Sequence, residues 1–294
     1  MNLAIRIAAA ILSVPPDVLA PFSPLFEPTP RNNLEKRLRH EVNTLLSGEC
    51  SAAEDVPLFA ISSEEANFVN CNSGLPGDVD VYKSDENDVS ASTYGEITLL
   101  GARQLFHHMG LTKLETKKPE FHLYDLGSGG GRLVMQSYLE LPAVRNSVGI
   151  ELSPTRHNIA IQAFNSLQEN GDIKRIRNLA HRAWGVEHDN KEDEDLLGIE
   201  LYEGDLFKLD ISRATHIYVS SLCFSADMLE LLVEKIEREA ISVQVIASIR
   251  KLPVTESNSD AVVRIGRNPW QEWIEMSWSK DGCRVYLYSV EKMI

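Results

Sequence analysis

Thirteen residues, Phe121 to Leu133 (FHLYDLGSGGGRL), constrain this chain more than any other stretch. A short apolar run carrying Phe121, Leu123 and Tyr124 ends in Asp125. Glycines then stand at alternate positions, Gly127, Gly129 and Gly131, and an apolar helical pattern begins at once. That order reads as strand, tight turn and helix N-terminus. Glycine supplies the positive φ of a tight turn and, lacking a Cβ, lets a ligand come into contact with the main chain. A dinucleotide site usually reads G-x-G-x-x-G, and the spacing here is different. Twenty residues after Gly131 a second β-type run, Ser147 to Ile150, ends in Glu151. An acid at the tip of the second strand of such a unit accepts hydrogen bonds from the ribose hydroxyls of an adenosine.

An acid followed by G-x-G-x-G is the pattern of class I S-adenosylmethionine enzymes, and the rest of the chain is ordered as such a fold requires. After the glycine turn, Leu133, Val134, Met135 and Tyr138 give a first helix an apolar face. Ser153 is a good N-cap with Pro154 at the first helical position, Ile159, Ala160, Ala163, Phe164 and Leu167 form a buried stripe, and Asn170-Gly171 stops that helix. Ile199 to Tyr202 reads as a third strand leading into Gly204-Asp205-Leu206. His216 to Ser220 reads as a fourth, Ser225 as the cap of a helix through Ile236, and Val243 to Ile249 as a fifth strand. The end changes character: Trp273 to Trp278 and Arg284 to Val290 are extended runs joined across Asp281-Gly282, a hairpin signal. Alternating β and α with a final antiparallel hairpin predicts an α/β fold: a seven-stranded, Rossmann-like doubly wound sheet.

Residues 1–90 read as an N-terminal extension, mainly helical or irregular, before a catalytic domain spanning 91–294. Met1 to Val14 is apolar but divided by Arg6, which favours a packing helix over a targeting peptide. Six prolines between Pro15 and Pro30 forbid long helices there. Arg31 to Leu46 carries Leu34, Leu38, Val42, Leu45 and Leu46 at helical spacing, with Gly48 as its stop, and residues 50–90 read as a loop-rich connection. Ser92 to Glu96 follows, where Thr93 and Glu96 have the spacing of a capping box for a helix carrying Leu100, Leu105 and Phe106. The acidic run Glu187 to Asp195 reads as a solvated loop.

Composition narrows the partners. Twenty-nine Lys and Arg against 43 Asp and Glu give a net charge of −14, which repels nucleic-acid phosphates and favours basic partners, so strong nucleic-acid binding is not expected. No run of eighteen apolar residues suggests a membrane span. Cys50, Cys71, Cys223 and Cys283 lack CxxC spacing, so no metal site is expected and the thiols read as reduced ones of an intracellular protein, nuclear or cytoplasmic.

Taken together, these residues resemble the non-SET histone-lysine methyltransferases named for disruption of telomeric silencing, over roughly residues 90–292. Tyr94-Gly95-Glu96 is similar to that family's Y-G-E loop over the methionine part of the cofactor, and Asp125-Leu126-Gly127-Ser128-Gly129 with Gly131 to its D-L-G-S-G-x-G. Gly149-Ile150-Glu151 resembles its ribose-binding strand end, Gly204-Asp205-Leu206 its adenine-side G-D-F, and Ser277-Trp278 with Tyr286 its C-terminal S-W and tyrosine. The resemblance implies S-adenosylmethionine as cofactor, held by Tyr94, Gly95, Glu96, Asp125, Gly127, Ser128, Gly129, Gly131, Arg132, Glu151, Asp205 and Leu206. It implies methyl transfer to the amine of a protein lysine, on a basic protein with histones among the candidates, in a channel lined by Tyr94, Ser220, Ser221, Phe224 and Tyr286. The departures are Ile97 for the family's threonine, Arg132 for its glutamine, and Ser220-Ser221-Leu222-Cys223-Phe224 for its N-N-F-A-F; its basic tail has no visible equivalent. Methylation of a small molecule, RNA or another non-histone substrate, and cofactor binding without catalysis, are the alternatives.

Overall fold

The strand read at Phe121 is the centre of a sheet. In a computed structural model, residues 27–47, 96–113, 120–186, 198–255, 260–277 and 279–293 are described. β1 (Phe121–Leu126) pairs in parallel with β2 (Val144–Glu151) on one side and β4 (His216–Val219) on the other. β3 (Ile199–Glu203) extends the sheet beyond β2, and β5 (Val245–Ser248) beyond β4, both parallel. β8 (Ser279–Lys292) closes it antiparallel to β5 and is paired in turn by β6 (Val263–Ile265) and β7 (Trp270–Met276), giving the order β3-β2-β1-β4-β5-β8-β6 with β7 beside β8. The sheet thus has eight strands rather than seven, because the long β8 is partnered by two successive strands.

The reversal between β7 and β8 also differs from expectation. Met276 pairs with Ser279, so the chain reverses between these two residues, and Asp281-Gly282 lies inside β8. Ile274 pairs with Cys283, so β8 carries extra residues opposite β7, a bulge where Gly282 takes φ 78° and its carbonyl accepts from Ser279 Oγ at 2.8 Å. A D-G pair serves a bulge as well as a turn, since both need a positive φ.

The helices on the first face are α1 (Asn33–Leu46), α2 (Leu99–His108), α3 (Arg132–Glu140), α4 (Pro154–Glu169) and α5 (Asp172–Trp184); α6 (Ala226–Glu239) covers the second. α1 starts two residues later than the pattern suggested because Asn32, not Arg31, is its cap: the Asn32 side chain accepts from Glu35 N at 2.9 Å and donates to Ala183 O at 2.8 Å, fixing α1 to the end of α5. Leu38, Val42 and Leu46 of α1 are buried in the same cluster as α2, α3 and α5. Ser153 and Ser225 cap α4 and α6 as expected. α2 is capped by Thr98, whose oxygen accepts from Gly101 N at 3.0 Å, rather than by Thr93, which lies outside the described residues. The readings of 1–26, 50–90 and the acidic run 187–195 also fall outside them.

α5 follows α4 after two residues, Asn170 and Gly171, the glycine at φ 70°. Its Ile173, Ile176, Leu179, Ala180 and Ala183 are buried at helical spacing, a pattern hidden by the Asn170-Gly171 stop. Arg177 of α5 is buried and donates to the carbonyls of Tyr138, Leu141, Pro142 and Val144, supplying donors to the unpaired end of α3. Among the described residues no helix is long and apolar enough to cross a membrane.

Candidate functional site

Parallel strands bring their carboxyl ends to one edge, and the direction in which strands are added reverses between β1 and β4, so a crevice opens there. It holds a cleft of about 250 Å³. The loop after β1 folds over the neighbouring strand, with Gly127 N and Ser128 N both donating to Ile150 O at 2.9 and 3.0 Å. Gly149 makes that approach feasible: a Cβ there would stand 2.7 Å from Ser128 Oγ and 2.9 Å from Val134 Cγ2. Gly127, at φ 91°, has nothing within 4 Å of its Cβ position, so its bare backbone borders open space.

Four acids meet in this cleft. Glu151 is buried, and its two oxygens accept from Gly129 N and Ser153 N, each at 2.8 Å, so its carboxylate is held by main chain from both walls. Asp125 is 3% exposed, and its Oδ1 has no hydrogen-bond partner. Burial first, then the negative charges of Glu151 and Glu96, push its carboxyl up to about 8. Glu96 forms an ion pair with Arg132 at 2.9 Å, and its main chain is fastened to the end of β7: Glu96 N donates to Ser277 Oγ, and Ser277 N to Glu96 O, both at 2.9 Å. Thr98 continues the attachment by donating to Glu275 Oε1 at 2.7 Å. Asp205 closes the far end, one oxygen accepting from Phe207 N at 3.0 Å, and the adjacent Gly204 N donates to Glu151 O.

Of the residues singled out from the sequence, Glu96, Asp125, Gly127, Ser128, Gly129, Arg132, Glu151, Asp205, Leu206, Ser220 and Phe224 line this one cleft. Tyr94 and Gly95 lie outside the described residues. Gly131 is not on the wall. It takes φ 76° at the N-cap of α3, and a Cβ there would come 3.0 Å from Ala160 Cβ, so its smallness serves packing against α4. Ser221 is also displaced from the expected wall. The 3-10 turn Ser221–Cys223 faces it inward, fully buried, with its Oγ 2.7 Å from Ser248 Oγ and accepting from Arg250 N at 2.9 Å, so it ties the end of β4 to the end of β5. Tyr286 pairs with Ser248 and Gln271 within the sheet and packs on the second cluster, outside the cleft lining.

Sequence reasoning missed Tyr218, Leu152, Arg156 and Cys223, which also line the cleft. Period two from Ser220 points to Tyr218, but a tyrosine inside an apolar strand reads as core. Leu152 belongs to the turn after Glu151 and Arg156 to the first turn of α4, where the local signal is the cap formed by Ser153 with Pro154.

The arrangement suits a ligand with an adenosine-like portion between Glu151 and Asp205 and a cationic portion beside Asp125. The buried orphan oxygen of Asp125 and the open backbone at Gly127 both fit S-adenosylmethionine. The family model described as Histone methylation protein DOT1 matches residues 78–289. Among solved structures, an RNA methyltransferase from Salinibacter ruber in complex with S-adenosyl-L-homocysteine is 17% identical, with 66% of this chain and 92% of that one covered and a TM-score of 0.38. TrmN from Thermus thermophilus is 15% identical (67% and 49% covered, TM-score 0.41). A SAM-dependent methyltransferase from Thiobacillus denitrificans, also with S-adenosyl-L-homocysteine, is 18% identical (54% and 53% covered, TM-score 0.33). No curated protein matches this chain.

Proposed function

Since this chain belongs to the histone methylation protein DOT1 family and is an S-adenosylmethionine-dependent methyltransferase, we propose that its cleft delivers the methyl group to a lysine amine of a basic protein, with histones the first candidates. The cofactor supplies an electrophilic methyl on a sulfonium. The observation that carries the reading is the convergence of Asp125, Glu96 and Glu151 on one cleft that Ser220 and Phe224 also line. Glu151, held by Gly129 and Ser153, would take the ribose hydroxyls, and Asp205 with Leu206 the adenine side. Asp125 and Glu96 would face the cationic end, and Arg132, now paired with Glu96, the carboxylate of the methionine portion. Ser220 and Phe224 would border the acceptor amine, which reacts only as the free base, some three pH units below its usual pKa of about 10.4; a wall of low polarity favours that neutral form. Charge complementarity supports a basic partner, given the net −14, and such substrates occur in the nucleus and cytoplasm. Incubation with methyl-labelled cofactor, core histones and a whole-cell extract tests the reading: label is expected in a basic protein band, and label confined to RNA or to small molecules would overturn it.

Asp125 yields a second expected outcome. In the free protein its carboxyl keeps its proton up to about 8, whereas an unfolded aspartate loses it near 3.8. The native state therefore binds more protons between those values, and this group's contribution to stability falls as pH rises through that window. A cation placed beside Asp125 favours its charged form. Cofactor binding near pH 6.5 should then release close to one proton at this site, read as the dependence of calorimetric binding enthalpy on buffer ionisation enthalpy. Asp125→Asn should abolish the release; a wild-type enthalpy independent of buffer would remove Asp125 from the cationic end.

A further inference from the structure

The end of β4 offers the cleft two hydroxyls: Tyr218 stands in the strand, Ser220 directly after its last residue, and both line the cleft. The Tyr218 phenol is hydrogen-bonded to Ser220, its ring is 3% exposed in the cluster beneath α2 and α3, and its register neighbours are Asp125 on β1 and Ala247 on β5. This packing leaves the ring no other place to go. Burial first, and then the neighbouring Asp125, push its ionisation far up, so the phenol stays neutral and serves as a hydrogen-bonding group, not as a base.

We propose that the Tyr218 hydroxyl, backed by Ser220, limits how many methyl groups the acceptor amine can receive. The inference rests on the cleft being the methyl-transfer site proposed above. In each transfer the lone pair of the neutral amine forms the new bond to the methyl carbon while the carbon–sulfur bond breaks and its electron pair stays on sulfur; the ammonium product then gives a proton to solvent. A primary amine has two N–H groups. The oxygens of Tyr218 and Ser220 accept one each, which leaves the lone pair as the third direction, towards the methyl. Once the nitrogen carries a methyl, a second transfer must either turn that methyl onto a hydroxyl, leaving a buried polar group without its partner, or give up the aligned lone pair. A site built to receive an N–H discriminates strongly against the analogue that lacks it. Turnover therefore stops at the monomethyl amine.

The test uses the full chain saturated with S-adenosylhomocysteine, and small amines as probes, so that no turnover is needed. By saturation-transfer NMR titration, wild type should bind n-butylamine about tenfold or more tightly than N,N-dimethylbutylamine, and Tyr218→Phe should bring the two within about twofold, each protein being held at S-adenosylhomocysteine saturation fixed by its own titration. A second arm hydrolyses core histones treated with labelled cofactor: wild type should yield labelled monomethyllysine, and Tyr218→Phe should add dimethyllysine. Equal amine preference and equal product ratios in the two proteins, with the cofactor product still bound, would overturn the inference. Failure of wild type to bind S-adenosylhomocysteine at all would instead overturn the reading of the cleft, and this inference with it. Coincident melting curves of the two proteins show that the variant is folded.

Discussion

Arg103→Ala is expected to lower stability by about 3–5 kcal/mol, the cost of leaving a buried charge without its partner. For a chain of this size that corresponds to a fall in melting temperature on the order of 10 °C. Arg103, on α2, is 5% exposed, and Glu140, at the end of α3, is 4% exposed. The guanidinium donates through Nε at 3.1 and 3.0 Å to the two carboxylate oxygens and through Nη2 at 2.5 Å to Oε1. The same Nη2 reaches Asn43 Oδ1 on α1 at 2.7 Å, so three helices share one cation. Without it, Glu140 keeps, among the described residues, the Gln136 amide at 3.2 Å. The double replacement Arg103→Met with Glu140→Leu should recover most of the loss, because an apolar pair of similar volume leaves nothing unsatisfied. Thermal unfolding of both variants decides it: a single variant within about 1 kcal/mol of wild type would mean that water reaches Glu140. The consequence extends to the cleft, since α2 carries the Glu96–Thr98 segment fastened to β7.

Glu151→Ala should be the most damaging single change to cofactor binding. Two ribose hydroxyls would lose a charged acceptor, worth roughly 1.5–3 kcal/mol, or about ten- to a hundredfold in affinity. The structure adds a second loss. Glu151 also accepts from Gly129 N and Ser153 N, so its removal frees the glycine loop from the first turn of α4 before any ligand arrives. The affinity loss should therefore lie at the upper end of that range and be accompanied by a lower melting temperature in the absence of ligand. Glu151→Gln keeps one acceptor but turns an amide N–H towards a main-chain N–H, so it should fall between. Calorimetry with S-adenosylhomocysteine reads both variants, and unchanged affinity in Glu151→Ala would take Glu151 out of the site.

What the sequence determined by itself was everything encoded over short range. The β1 strand, its glycine turn, the Ser153 and Ser225 caps, the α1 stripe and the acid ending β2 all rest on local rules: period, φ sign, and a side chain reaching three residues along its own backbone. Resemblance added the order of motifs, and the cleft gathers most of them. Only the tertiary structure decided the rest, because the relevant partners are far apart in the chain. Ser221 is directed inward by Ser248 and Arg250, 27 and 29 residues on, while Ser220 beside it faces the cleft; no local signal distinguishes two adjacent serines. Glu96 is positioned by Ser277, 181 residues away. Asp281-Gly282 became a bulge because pairing with β7 set the reversal four residues earlier, between Met276 and Ser279, a choice made by cross-strand packing rather than by the dipeptide's own preference. Periodicity and turn chemistry fix which elements exist; which hydroxyl, carboxylate or glycine meets the ligand is fixed by long-range pairing, where burial and hydrogen-bond satisfaction outweigh local preference.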